Sequence, residues 1–578
     1  MPRYPAYGGR RTTDQDKTLA EWAHDLRRAF PRADGKSIET LTAICSLVAV
    51  PGGIPLIRQG EPPEAVYIVV TGQFAAYRTA DTDQAEVDRF GAGDVFGDVG
   101  FFTGDAQTLT IQALRNSEVL RIAKQDLQAA AARWPGVLLA ICSGAVQRLQ
   151  RVQAAPMKTP RFHTFCFVPA DAGIDAAPVV QKIADTLTAF GKVAIVSAEH
   201  AADRTTAWFA DIEKSSDFVL LQADGGATAW TRFCLRHSDR IVLLAQGDSD
   251  PADSPGLGRA ATDIPPSTPL YLMLLWQDVV VPARTTSWLQ AVTPSRHYHI
   301  RSARDIERAG RLIAGRGLGL VLSGGGARAL AHIGVIQALT EHDIPIDAVG
   351  GTSVGGIVAA VFALEWNLTT TVRGLAMAFN RRRFSDFAVP RTALYSERPF
   401  VRTLGHCFGT ITIEDAPIPM FCVSTNLTKG ISAVHRTGPF VTWLRATSAV
   451  PGICPPIIEQ NAVYVDGGVL NNMPTDAMHD LGVAAVIAVD VGASLEQQAR
   501  ADGETSLPNM LDLLWRVGTI GSDSAANQVR RGRDVLLKPA VEEIGLFDWN
   551  SHEKAIEAGH QAALERLDEI KTALARIH

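Results

Sequence analysis

The sequence predicts a multi-domain chain: a small β-roll, then an α/β middle region, then a larger α/β domain. Three observations carry this reading. The chain has 578 residues, too many for one core when domains run roughly 100–200 residues. Between about 35 and 123, short β-like runs alternate with Gly and Pro turn signals. Beyond 156, apolar strand-like runs alternate with helical patterns, the rhythm of a largely parallel sheet covered by helices.

Residues 1–34 are polar and rich in Arg, Pro and Gly, with a short helix expected over Leu19 to Ala29. The β-roll rests on VYIVVTG (66–72), FAAYRT (74–79), VFGDVGFF (95–102) and TLTIQAL (108–114), a spacing typical of small all-β rolls. Helices over 124–155 close that unit, which spans 35–155. The middle region, 156–300, is read from FCFVPA (165–170), VAIVSA (193–198), FVLLQA (218–223), IVLLAQ (241–246) and LYLMLLW (270–276). It holds no GxxxxGK[ST] phosphate loop, so no nucleotide chemistry is assigned to it. The last segment, 317–578, opens on LGLVLS (318–323) and is expected to form a doubly wound α/β sheet.

Composition narrows the function classes. Hydrophobic content of 46% and charged content of 20% are those of a soluble globular protein. The net charge of −6, with both signs spread along the chain, lacks the basic excess of a nucleic-acid binder. Seven cysteines, with no CxxC pair, argue against a disulfide framework or a zinc site and for a reducing compartment. The start lacks the apolar stretch of a signal peptide, and no window reaches the roughly 18 apolar residues of a membrane-spanning helix. A cytoplasmic protein is expected, meeting a membrane, if at all, from its surface.

The strongest chemical motif is GGTSVGG at 350–356, which contains GxSxG as Gly351, Thr352, Ser353, Val354 and Gly355. A strand-like IPIDAVG precedes it and a helix-like IVAAVFAL follows, the context of a nucleophile elbow. Alone, GxSxG is also a common chance pattern. A second motif lies 27 residues upstream: strand LGLVLS, then Gly324, Gly325, Gly326, Ala327, Arg328 and Ala329, then a helical LAHIGVIQAL. This loop fits a dinucleotide fingerprint as well as an oxyanion hole, and Asp347 even sits where the fingerprint wants its acid. The serine elbow after the next strand favours the hydrolase, because a dinucleotide would occupy the same space. The third motif is Asp466-Gly467-Gly468 after AVYV, weak on its own. His479, His552, His560 and His578 follow Asp466 but are poor triad members, while His332 and His435 precede it, against triad order. A dyad in which Asp466 itself takes the Ser353 proton is the simpler reading.

Together and in this order, GGGARA (324–329), GTSVG (351–355) and DGG (466–468) resemble the patatin-like phospholipases. The segments RRRFSDFAVPRTALYS (381–396), IEDAPIPMFCVSTNL (413–427), LRATSAVPGICPP (444–456) and VDGGVLNNMPTDAM (465–478) are similar to that family's neuropathy target esterase branch. So are SDFVLLQADGGATAW (216–230) and SDRIVLLAQ (238–246). Residues 35–155 resemble a cyclic-nucleotide-binding domain, through VPGGIPLIRQGEPPEAVYIVVTG (50–72) and FGDVGFFTGDAQTLTIQA (96–113). The resemblance implies an α/β fold and a Ser353–Asp466 dyad, with the loop 324–328, Arg328 included, as oxyanion hole. It implies hydrolysis of acyl esters of phospholipids or lysophospholipids, without cofactor or metal. A neutral-lipid or thioester hydrolase with the same dyad, or a catalytically silent regulatory protein, remain as alternatives. Ala329 stands where the family's GxGxxG motif ends in Gly. In the sensor, Gly97, Asp98 and Gln107 fall on the cyclic-nucleotide site, but the family's ribose Glu is Asp98 and its phosphate Arg is Gln107. Weak or absent nucleotide binding is therefore expected. Candidate lipid-facing stretches are 384–395 and 507–520, with Arg381 to Arg383 as head-group partners.

Overall fold

The computed structural model describes residues 15–577 except 81–82, 144–163, 172, 202–205, 227, 254–263, 265–267, 369, 372–373, 375–392, 395 and 493–533. Arg381 to Arg383, the run 507–520 and nearly all of 384–395 thus lie outside the described residues. The chain divides into two compact units: Met1–Val180 with Lys192–Leu244 and Ser254–Tyr271, and Gln181–Gly191 with Ala245–Asp253 and Leu272–His578.

The first unit begins with helices Gln15–Ala29 and Gly35–Ile44. The second is capped by Asp34, whose side chain accepts from Ser37 N. Eight strands follow: β1 (Cys45–Val50), β2 (Pro55–Ile57), β3 (Ala65–Thr71), β4 (Phe74–Ala80), β5 (Asp83–Phe90), β6 (Val95–Phe96), β7 (Thr110–Ala113) and β8 (Ser117–Ala123). They form two four-stranded sheets, β1-β8-β3-β6 and β2-β7-β4-β5. Between the sheets lies a core of Ile57, Val69, Phe74, Phe96 and Val119. The run VFGDVGFF is strand only at Val95–Phe96. Gly97, at φ 83°, turns the chain into a helix over Asp98–Thr103. The middle region contributes β9 (Thr164–Pro169), β10 (Val193–Val196), β11 (Phe218–Gln222) and β12 (Arg240–Gln246). These pair in parallel in the order β10-β11-β9-β12.

β13 (Leu270–Leu275) and β14 (Arg296–Ile300) come next in the chain, and the second unit then holds an eight-stranded sheet. Its strands are β15 (Leu318–Leu322), β16 (Ala348–Thr352), β17 (Met420–Asn426), β18 (Ile431–His435), β19 (Ile457–Glu459), β20 (Ala462–Asp466), β21 (Ala485–Val489) and β22 (Val535–Leu537). The order is β19-β20-β17-β16-β15-β21-β22, with β18 also on β17. From β17 to β22 the ladder is parallel, and its strands are almost wholly buried, as expected of a sheet covered on both faces. Beyond β17 the sheet turns antiparallel, a change the sequence pattern did not announce.

That change brings two distant segments together. Val423 pairs with both Thr352 and Val434, and Ser424 pairs with both Asp466 and Ala433. Because β18 occupies one edge of β17 at both residues, β16 and β20 must share the other. A parallel strand and an antiparallel strand therefore end against each other on that edge, one at Thr352 and the other at Asp466.

Candidate active site

Ser353 is the residue between β16 and the helix Val354–Ala363, with φ 55° and ψ −130°. A non-glycine side chain in this region is strained by about 1–3 kcal/mol. The strain is held by a hydrogen bond from Ser353 N to Thr447 Oγ1 at 2.9 Å, while the Thr447 hydroxyl donates onward to Val423 O. Small residues at 351 and 355 let the turn close. A Cβ on Gly351 would lie 2.7 Å from Leu322 O, and one on Gly355 would lie 2.4 Å from the same oxygen.

The Asp466 carboxyl is fully buried. Oδ1 accepts from Gly468 N at 2.8 Å, while Oδ2 is buried without a hydrogen-bond partner. Burial pushes the pKa up. The Ser353 hydroxyl and the Gly468 N–H pull it partly back, leaving it at about 7. The hydroxyl thus lies near enough to favour the ionised carboxylate, although it makes no hydrogen bond of good geometry to it. An unpaired carboxylate oxygen facing a serine, titrating near neutrality, is the arrangement a general base requires.

The glycine loop reaches the same place. A Cβ on Gly324 would sit 3.0 Å from Ser353 Cβ. The loop's N–H groups are not equivalent. Gly324 N donates to Asn472 Oδ1 at 3.0 Å, Ala327 N to Leu546 O at 2.8 Å and Arg328 N to Gly325 O at 3.2 Å. Among the described residues, Gly325 N and Gly326 N have no such acceptor. The Arg328 side chain is buried and donates from Nε to Ile544 O at 2.6 Å, so it anchors the loop from behind.

His332, His435, His479 and His560 are each engaged elsewhere. His332 Nε2 bonds Ser323 O at 2.8 Å, and burial brings its pKa down to about 4. His435 bonds Ser424 Oγ at 2.6 Å and stacks on Trp443, and burial brings its pKa to about 4 as well. His479 pairs with Asp534 at 2.9 Å and His560 with Glu341 at 2.8 Å. Asp347, the acid a dinucleotide would need, is buried in an ion pair with Arg311 and accepts from Leu318 N. Sequence reasoning missed Thr447 and Asn472, although both lie in segments quoted above, LRATSAVPG and VDGGVLNN. It also passed over the N–H of Val354. As the first residue of its helix, Val354 has no intrahelical acceptor. Among the described residues no group of three or more His, Cys, Asp or Glu could hold a metal ion.

In the β-roll, Gly97 and Asp98 open the helix Asp98–Thr103, with Asp98 buried. Gln107 is fixed by its backbone, through Gln107 N to Glu61 O and Gly60 N to Gln107 O, both 2.8 Å. Its side-chain amide lies against Gly100.

Three family models match the chain: a cyclic nucleotide-binding domain over 47–133, a neuropathy target esterase family P-loop like domain over 162–315, and a patatin-like phospholipase over 320–479. An uncharacterised NTE (neuropathy target esterase) family protein of Mycobacterium bovis is 30% identical over 566 residues, covering 92% of this chain and 93% of its own. The chain belongs to the neuropathy target esterase family. The neuropathy target esterase sws of Drosophila melanogaster is 29% identical over 510 residues, covering 76% of this chain; the match spans only 35% of the fly protein. Among solved structures, a cyclic nucleotide-binding domain from Methylobacillus flagellatus is 16% identical, covering 24% of this chain and 82% of its own, with a TM-score of 0.22. The patatin-like match contains the glycine loop, Ser353, Asp466 and Asn472, so the second unit carries the patatin-like domain. Among the described residues no helix is long and apolar enough to cross a membrane.

Proposed function

We propose that this NTE family chain is a serine acyl-hydrolase that releases fatty acids from lysophospholipids or phospholipids through a Ser353–Asp466 dyad. The observation that carries the reading is the buried, half-satisfied Asp466 carboxyl ending beside Ser353 on one edge of β17.

Ser353 Oγ attacks the acyl carbonyl as Asp466 takes its proton. The developing oxyanion is met by the N–H groups of Gly325, Gly326 and Val354, each of which is worth about 10²–10³ in rate at such a site. The positive end of the helix Val354–Ala363 adds to this stabilisation. The ester C–O bond then breaks, and the glycerol oxygen leaves with the proton from Asp466. In the second half, Asp466 takes a proton from water, the hydroxide attacks the acyl-enzyme, and Ser353 departs with that proton as the fatty acid is released.

The test is fatty-acid release from lysophosphatidylcholine, a diacyl phospholipid, a neutral acylglycerol and an acyl thioester, by wild type and Ser353→Ala. Release from the phospholipids that vanishes in Ser353→Ala is the expected result. Equal release by both proteins would remove Ser353 from the mechanism. Turnover of only the acylglycerol or thioester would keep the dyad and change the substrate.

A further inference from the structure

The segment that follows Asp466 is tied to both other parts of the site. Asn471 N donates to Gly467 O at 2.8 Å, and Asn471 O accepts from the Thr352 hydroxyl at 3.0 Å. Asn472 then holds both backbone polar groups of one residue of the glycine loop, and so two consecutive peptides. Its Oδ1 accepts from Gly324 N at 3.0 Å, and its Nδ2 donates to Gly324 O at 3.2 Å. A primary amide presents an acceptor and a donor side by side in this way; an ionised carboxylate offers acceptors alone. The fit also requires glycine at 324, since a Cβ there would come within 2.7 Å of Asn472 Oδ1.

We infer that Asn472 is a positioning residue for the oxyanion hole, its amide fixing the two peptides on either side of Gly324 so that the next two N–H groups face Ser353. This rests on the Ser353–Asp466 reading. Asn472 touches neither reacting group. It takes Gly324 N–H out of the set of oxyanion donors and in exchange orients those of Gly325 and Gly326. It also couples the loop bearing the base to the loop bearing the donors, 148 residues apart in the chain. Misplaced donors weaken transition-state binding more than substrate binding, so the loss falls on kcat.

The experiment compares full-length wild type, Asn472→Ala, Asn472→Asp and Ser353→Ala for kcat and KM on lysophosphatidylcholine, and for thermal midpoint. Asn472→Asp keeps the side chain's size and one acceptor, so it reports even if the alanine variant unfolds. The expected result is a kcat lower by about 10–100-fold in Asn472→Asp, with KM within about threefold, an unchanged acidic limb in the pH profile, and a thermal midpoint near wild type. Wild-type kcat in Asn472→Asp, or a kcat loss matched by loss of folded protein, overturns the inference. Activity that survives in Ser353→Ala would instead sink the dyad reading beneath it.

Discussion

Thr352 and Asp466 occupy consecutive rungs of one edge of β17, against Val423 and Ser424. The two residues are 114 positions apart in sequence, and no local motif links them. What joins them is a parallel strand and an antiparallel strand ending head to head on a shared neighbour. Ser353, one residue past the first strand end, is turned out by its positive φ, while Asp466 closes the second. The proposed base is thus set by sheet register, and that register dictates the first prediction.

Asp466 has to be ionised to accept the Ser353 proton, and its carboxyl titrates at about 7 because it is buried. kcat/KM is expected to fall about tenfold per pH unit below that point and to level off above it. A profile from about pH 5.5 to 9 checks this. A limb in the ordinary carboxylate range would mean that another group limits the reaction.

The same shift predicts a stability effect of opposite value to the enzyme. The native carboxyl keeps its proton until about pH 7, whereas the unfolded chain releases it near 3.8. Across that window the folded state binds more protons, so stability falls as pH rises through it and stays lower above it. Asp466→Asn removes the ionisable group. At pH 8 it should abolish fatty-acid release while raising stability, by up to about 4 kcal/mol. Below about pH 4 the unfolding curves of variant and wild type should converge. A variant less stable than wild type at pH 8 would argue against a strained, desolvated carboxylate.

Much of the site was legible because its chemistry sits in short motifs at strand ends. The elbow Gly351–Gly355, the glycine loop and Asp466 were readable as residue types whose spacing serves one reaction. The roles within the glycine loop were not. That Gly324 N–H is spent on Asn472 and Arg328 N–H on Gly325 O depends on contacts across 148 residues and on a local 3₁₀ turn, which no pattern records. The fold followed the same division. Alternating apolar runs gave the β-roll and the parallel strands, but VFGDVGFF is apolar enough for a strand throughout and becomes helix after a left-handed glycine. The antiparallel edge of the large sheet was likewise hidden, because β18, β19 and β20 are short and only half-buried, so their pattern is weak.

Gly355→Ala should damage the elbow through packing alone. The new methyl would meet Leu322 O at 2.4 Å and Ser323 O at 2.5 Å, both backbone atoms that cannot swing away. The helix would have to lift off β15, costing about 1–3 kcal/mol and displacing Ser353. Both a lowered thermal midpoint and lost turnover are expected. Wild-type turnover in this variant would show that the helix has room to retreat.

Arg115 holds the β-roll to the helices and loop beside the middle strands of the first unit. Its buried guanidinium pairs with Glu213 at 2.6 Å and Asp239 at 2.7 Å and donates to His237 O. Removing one partner of a buried ion pair typically costs about 3–5 kcal/mol, because the remaining charges stay desolvated and unpaired. Arg115→Ala should lower the unfolding midpoint of the first unit and expose its interior to limited proteolysis. An unchanged proteolysis pattern and midpoint would mean that water screens Glu213 and Asp239 once the arginine is gone.

The sensor prediction turns on Gln107. Its backbone is pinned between Glu61 and Gly60, so the side chain leaves from a fixed point. A neutral amide there can hydrogen-bond a phosphate but cannot supply a charge-assisted bond, which contributes roughly 1.5–3 kcal/mol, or about one to two decades of affinity. Asp98 stands, one methylene shorter, where the family resemblance implies a glutamate for the ribose. Calorimetric titration of the full chain with cyclic AMP and cyclic GMP should therefore show no sub-micromolar binding. Gln107→Arg should tighten binding by about 10–100-fold, and more when Asp98→Glu is added. Sub-micromolar binding by the wild type would show that the amide suffices. A Gln107→Arg variant no tighter than wild type would mean that the β-roll has lost the site as a whole rather than one charge.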